Sequence, residues 1–246
     1  MRIIVCLLLS SLLVNAGAEP VRSTGLVLPY QQVELAANSD GVIREILVKE
    51  GDAITAGQVL AQLESAREAL DVDLSKVIME KRAADLAAAE ALFNEKIFSK
   101  NQVDDRRLDA KVAETQHQAA KQRLQERSIR APFAGLVLRL FKQRGASLRS
   151  LERFAEVADL SRVVVTLYLD AANLQRIKLG QTAEVTIPLV GTKPFSGVVD
   201  VVDPVVDPAT GQFRVKVLVD NSARQIWTGT RASVVIQESP SDVPAR

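Results

Sequence analysis

The sequence is poor in the residues from which active sites are usually built. Of its 246 residues, one is a cysteine (Cys6) and one a histidine (His117). That excludes a thiol redox pair, a cysteine-rich zinc centre and a multi-histidine metal site. It also leaves no spare histidine for a Ser-His-Asp triad. Aromatics make up 4% of the chain, too few to offer stacking platforms to bases or sugars. A charge excess is lacking too: 31 Lys and Arg stand against 30 Asp and Glu, a formal net charge of +1. Setting aside Arg2 leaves the rest neutral, without the basic excess of a nucleic-acid binder. Hydrophobic content of 47% is ample for a core, which argues against wholesale disorder.

The first residues read as an address. Met1-Arg2 is a short positive start, and Ile3 to Val14 is apolar apart from Ser10 and Ser11. Asn15-Ala16-Gly17-Ala18 then offers small residues at both positions of an A-x-A site, so residues 1–18 are expected to be a signal peptide cut after Ala18. An uncleaved amphipathic anchor is the alternative. The apolar run falls short of the ~20 residues that span a bilayer. Cys6 lies inside it, so the exported chain is expected to be soluble and to contain no disulfide.

An internal repeat is the most informative feature. Gly41-Val42-Ile43 through Gly51 matches Gly135-Leu136-Val137 through Gly145 at a fixed offset of 94. The register holds at Ala37/Ala131, Ile54/Leu148, Leu60/Phe154, Ala61/Ala155 and Leu63/Val157 without a gap. Gly57 meets Leu151, so the turn there is expected to differ between copies. Each copy reads as about four short strands, too little to stand alone. The two copies, 25–64 and 127–160, are expected to close as a small β-sandwich.

Residues 65–126, between the copies, contain no Gly and no Pro. Leu70, Leu74, Val77, Lys81, Ala84, Ala88 and Ala91 recur at spacings of 4 and 3, as do Leu108, Val112, Thr115, Ala119 and Gln122. These stripes predict two antiparallel helices packed along them as a coiled-coil hairpin, each of roughly 28 residues and about 40 Å. Asn94 begins the break, and Ser99 reads as the second helix start. A solvated spacer with no contact duty is the plainer alternative; the length favours a contact device.

Residues 161–238 alternate again in runs such as Val163–Leu169, Thr182–Pro188, Phe195–Val202, Phe213–Val219 and Arg231–Ile236. With a short helix begun by an Asp170 cap, they predict a small β-barrel. Residues 239–246 read as a flexible tail. The fold class is therefore mainly β with an α-helical hairpin. His117 reads as a solvated helix residue, and Asp203 and Asp207 as Asp-Pro turn residues rather than an acid/base pair. Trp227 reads as a core or edge aromatic, and Gly51 and Gly145 as turn glycines.

The half-motifs Gly41-Val42-Ile43 to Gly51-Asp52 and Gly57-Gln58-Val59-Leu60, with Arg130-Ala131-Pro132-Phe133-Ala134-Gly135, resemble the lipoyl halves of periplasmic adaptors. That is the membrane-fusion, or HlyD-like, family of efflux and secretion pumps. Val206-Asp207-Pro208 to Val215 and Gly229-Thr230-Arg231-Ala232 are similar to the same family's β-barrel. The resemblance implies a non-enzymatic periplasmic adaptor. It would link an inner-membrane transporter, of the resistance-nodulation-division type, to an outer-membrane channel, and work as a homo-oligomeric ring (trimer to hexamer) held at the inner membrane through the transporter. It implies no nucleic-acid partner. It also implies a partner-binding hairpin tip at Leu92, Asn94, Lys96, Ser99 and Lys100. Leu92 and Ser99 occupy the Leu and Ser positions of the family's tip motif, and Ala88 stands where that motif has Arg. Only a short tail follows the barrel, so the further membrane-proximal domain of longer adaptors is not expected. Related carriers hold a cofactor on a Lys between the halves. Here the helical insert replaces that turn, so no lipoyl or biotinyl cofactor is expected. A non-transport scaffold or carrier module is the alternative function, and an exported hydrolase ranks last because no nucleophile–base pair is visible.

Overall fold

The computed structural model describes residues 20–237. The expected signal peptide and tail lie outside these residues. Two compact units divide the described chain: residues 29–161, and residues 20–28 with 162–237. Two long strands, β1 (Val21–Ala36) and β8 (Arg153–Asp170), contribute to both.

In the first unit the repeat becomes two four-stranded sheets. One runs β5 (Ser128–Arg130), β4 (Val59–Leu63), β2 (Gly41–Ile46), β7 (Ser147–Leu148). The other runs β1, β8, β6 (Gly135–Leu140), β3 (Ala53–Ile54). Each sheet mixes strands from both copies, and the offset of 94 converts one into the other. The halves therefore exchange strands as well as covering each other. The core repeats the rule: Leu35/Ile129, Ala37/Ala131, Ile43/Val137, Ile54/Leu148, Leu60/Phe154, Ala61/Ala155 and Leu63/Val157 are buried in one cluster.

Backbone hydrogen bonds repeat as well. Gly57 N–H donates to Ala131 O at 2.8 Å, and Leu151 N–H to Ala37 O at 2.9 Å. Gly51 N–H reaches Val137 O, and Gly145 N–H reaches Ile43 O. The turn at Leu151 thus does not differ from that at Gly57. Leu151 takes φ 65° against 78° for Gly57, and its side chain is 84% exposed. The bonds around the turn force the left-handed backbone on a residue that resists it by roughly 1–2 kcal/mol. Gly135 answers a different need: a side chain there would strike the carbonyl of Ala158 on the adjacent strand.

The hairpin consists of α1 (Ala66–Asn94) and α2 (Lys100–Gln125). Its inward face is not the expected stripe. Leu70, Leu74, Val77, Leu108 and Val112 are exposed. The inward positions include Val72, Ser75, Met79, Arg82, Leu86 and Ala89 on α1, and Val103, Ala110, Ala113, His117, Ala120 and Leu124 on α2. Both helices are turned by two residues, about 200°, from the apolar reading. A clasp at the hairpin base accounts for this. Arg127, just beyond α2, donates to the Glu68 carboxylate and to Asp40 O, so Glu68 faces inward and sets the phase of the residues above it.

The second unit is a six-stranded barrel ordered β1, β12 (Arg231–Ile236), β9 (Thr182–Thr186), β10 (Phe195–Val202), β11 (Gln212–Asp220), β8, and closed by β1 pairing with β8. Val21–Leu26 lies here, paired with β12. Alternate residues of each strand fill the core, Val163, Val165 and Leu167 facing Val185, Val215 and Val217 within it. Asp170 caps a 3-10 turn (Ala171–Asn173), its Oδ1 accepting Ala172 N–H at 2.9 Å.

Glu152 accepts the Arg149 N–H, just as its repeat mate Gln58 accepts the Thr55 N–H. A hydrogen bond from Lys142, and then the Arg149 N–H, hold the Glu152 carboxyl below its ordinary value of about 4.5. A lowered folded value stabilises above the unfolded value and is lost as pH falls through the folded one. The protection of the Arg149 amide, measured by NMR against its intrinsic exchange rate, is therefore expected to fall as pH drops below about 4.5, and Glu152→Gln to remove the dependence without opening the turn.

Candidate functional site

Among the described residues no group of three or more His, Cys, Asp or Glu side chains is placed to hold a metal ion. The carboxylates weighed as acid/base candidates serve turns. Asp207 Oδ1 accepts Ala209 N–H and its Oδ2 accepts the Thr210 hydroxyl, while Asp203 is paired with Arg214 at 3.0 Å. Trp227 is not a core residue: it is 71% exposed. Buried Asn221 grips both the N–H and the C=O of Ile226, which places Ile226 inside and turns the next side chain out.

The hairpin offers the most extended candidate surface. His117 corrects the sequence reading, being 4% exposed in the seam. Ser75 Oγ lies 2.9 Å from Val72 O and shares a hydrogen bond of 3.0 Å with His117 Nδ1. This polar pair sits among alanines that permit close helix approach. It fixes which residues of α1 and α2 lie opposite, because any slip would leave a buried polar group unpaired. Nearer the tip, exposed ion pairs flank the seam, with Arg107 bonded to Glu90 at 3.1 Å and Arg82 placed 4.0 Å from Asp109.

At the tip, Leu92 is half-buried, and its carbonyl accepts the N–H groups of Ile97 and Phe98. Asn94 is the exposed last residue of α1. Lys96 takes φ 61° and is exposed. Ser99 caps α2 in a box with Gln102, each side chain bonded to the other's backbone N–H. Lys100 begins α2 and is exposed. Leu92 and Ser99 therefore shape the turn, whereas Asn94, Lys96 and Lys100 face outward. Phe93 and Ile97 are additional exposed residues, Ile97 by 64%. Their signal was in the sequence: apolar side chains bordering a polar break have no core to enter. Ala88 is also exposed.

The leftover apolar stripes complete the site. Leu70, Leu74 and Val77 mark the face of α1 turned from α2, and Leu108 and Val112 the face of α2 turned from α1. The hairpin is thus a ribbon with an apolar strip on each edge.

The chain thus combines a sandwich split by a helical hairpin with a six-stranded barrel. The sequence matches the CzcB-like barrel-sandwich hybrid domain over residues 31–159 and the CusB-like beta-barrel domain over residues 164–240. The chain belongs to the CzcB-like family. It is 28% identical over 256 residues to the nickel-cobalt-cadmium resistance protein NccB of Alcaligenes xylosoxydans xylosoxydans, covering 94% of this chain and 64% of that one. It is 25% identical to the nodulation protein NolF of Rhizobium meliloti, covering 83% and 59%. In fold it matches a MacA–MexA chimera carrying the Pseudomonas aeruginosa MexA α-hairpin, with TM-score 0.78 at 20% identity, over 90% of this chain and 81% of that one. The chain spans between about two-fifths and two-thirds of the length of the curated relatives it matches.

Substitutions separate seam from strip. Leu74→Ser is expected to change unfolding free energy by less than about 0.5 kcal/mol, as for other exposed positions. Leu86→Ser is expected to cost at least about 1 kcal/mol, since it removes half-buried packing. Urea unfolding followed by helical circular dichroism measures both. In a double-mutant cycle, Ser75→Ala and His117→Ala are expected to show a coupling of about 1 kcal/mol.

Proposed function

We propose that the chain is a non-enzymatic periplasmic adaptor. It links an inner-membrane transporter of the resistance-nodulation-division type to an outer-membrane channel and forms a ring around the export path. The observation that carries this reading is the pair of apolar strips on opposite edges of the hairpin. An α1 edge that packs on the α2 edge of the next copy makes a heterologous contact, and repeated rotation of such a contact closes a ring. The family membership and the resistance and export roles named for the relatives support the same reading. No helix among the described residues is long and apolar enough to cross a membrane, in keeping with attachment through a transporter.

In this reading the tip residues Leu92, Asn94, Lys96, Ser99 and Lys100 form the distal contact with the channel, together with Phe93 and Ile97. Leu92 and Ser99 hold the turn's shape and the others meet the partner. With Ala88 in place of Arg, the tip contact depends on the apolar pair more than on charge. The barrel faces the transporter.

Introducing Asp at both Leu74 and Leu108 is expected to leave the circular dichroism spectrum unchanged, because neither residue is in a core. The same change is expected to abolish assembly in mass photometry and efflux in a deletion strain. Ile97→Asp is expected to leave assembly intact and to lower efflux at least about tenfold, the effect of roughly 1.4 kcal/mol at one apolar contact. A wild-type chain that stays monomeric alongside its transporter, or full efflux with both strips charged, overturns the proposal.

A further inference from the structure

Two loops leave the same end of the barrel. Residues 187–194 follow β9 and residues 221–230 precede β12, and Thr186 at the end of β9 lies opposite Ser233 near the start of β12. The loops display Leu189, Val190 and Trp227, and Leu189 is as exposed as Trp227, at 71%. Their charge has one sign. Lys193 and Arg224 lie in the loops and Arg231 begins β12, whereas neither loop contains an acidic residue. All three cations are exposed, and among the described residues no ion pair engages them. The bordering carboxylates are occupied elsewhere. Asp220, at the end of β11, takes the Ser222 hydroxyl and lies opposite Arg162 in the ladder. Glu184, two residues before the end of β9, accepts the Gln237 amide at 3.0 Å.

The loop that carries Trp227 is held along its length. The buried Asn221 side chain accepts Ile226 N–H at 2.9 Å and donates to Ile226 O at 3.1 Å. Arg224 N–H donates to Asn221 O at 2.8 Å, with Arg224 itself at φ 52°. Thr230 Oγ1 donates to Trp227 O at 2.8 Å, and Gly229 N–H to Val27 O at 2.7 Å. The indole is therefore presented on a fixed backbone, and covering it costs little loop entropy. Tryptophan and arginine are also the side chains that most often anchor protein interfaces.

We infer that this end of the barrel docks a protein surface that offers an apolar pocket rimmed by carboxylates. Trp227 and Leu189 enter the pocket, and Lys193, Arg224 and Arg231 meet the rim. The sign of the partner follows from charge complementarity, since the loops carry cations alone. Anionic lipid headgroups share that sign, but a fluid surface makes no demand on loop shape, whereas a preformed pocket requires the fixed backbone seen here. The inference rests on the adaptor reading, in which this partner is the transporter.

The probe is the chain's own transporter in lipid nanodiscs. Trp227 is the one tryptophan of the chain, so fluorotryptophan places a single fluorine label at the site. Its NMR resonance is expected to shift or broaden with the transporter, and to stay in place with nanodiscs of phosphatidylethanolamine and phosphatidylglycerol alone. In biolayer interferometry, Trp227→Ala is expected to weaken transporter binding at least about tenfold. Arg224→Glu with Arg231→Glu is expected to weaken it at least about tenfold and to abolish the loss of affinity that added salt causes in the wild type. Unchanged circular dichroism checks that the variants fold. A complex that leaves the fluorine resonance in place, or that both variants form like the wild type, overturns the inference while the adaptor reading stands. An equal shift with lipid alone assigns the site to the membrane and also overturns it. No complex at all overturns both.

Discussion

The exchange of strands between the two repeat copies is the constraint on which the rest of the sandwich unit depends. Each four-stranded sheet borrows strands from the other copy, so neither half can complete a sheet, or bury its apolar face, alone. The consequence reaches the hairpin. The insert leaves β4 and returns at β5, which are adjacent strands of one sheet, so its two ends are held side by side independently of any interhelical contact. Arg127 then ties the base of α1 to the Asp40 turn. A pair of helices whose seam has few large apolar residues, with alanines, Ser75 and His117 among its inward positions, would be marginal in isolation. Anchored at both ends of its base, it does not need a strong seam.

That anchoring frees the larger apolar residues for the outside. In an independent coiled coil, leucines at heptad spacing would bury themselves against the partner helix. Here the sheet and the Arg127 clasp decide the rotation of both helices, and Leu70, Leu74, Val77, Leu108 and Val112 stay outside. Small inward residues bring the helices close, the Ser75–His117 bond fixes their alignment, and the ribbon keeps two unsatisfied edges. A hairpin so arranged suits lateral assembly better than a well-packed one, whose surface would be polar all round.

The same repeat shows how tertiary bonds override local preference. Leu151 occupies a backbone region that favours glycine because the bonds matching those of Gly57 hold it there. Glu152 does with a charged carboxylate what Gln58 does with an amide, which makes one of two equivalent turns sensitive to acid. Symmetry in the backbone has outlasted symmetry in the side chains.

Much was legible in the sequence. The offset of 94, the apolar pairs that obey it, the Gly- and Pro-free insert and the alternating strands of the barrel are local or self-referential patterns, and the fold class follows from them. The tip turn was legible too, because Ser99 with Gln102 is a cap written in adjacent residues. The orientation of things was not. The inward face of the hairpin, the burial of His117 and the exposure of Trp227 depend on which groups the rest of the fold brings alongside: Glu68 beside Arg127, Ser75 beside His117, Asn221 around Ile226. Periodicity states that a helix has an apolar face; only the surrounding structure decides whether that face is needed inside, and here the clasp at the base had already settled the rotation.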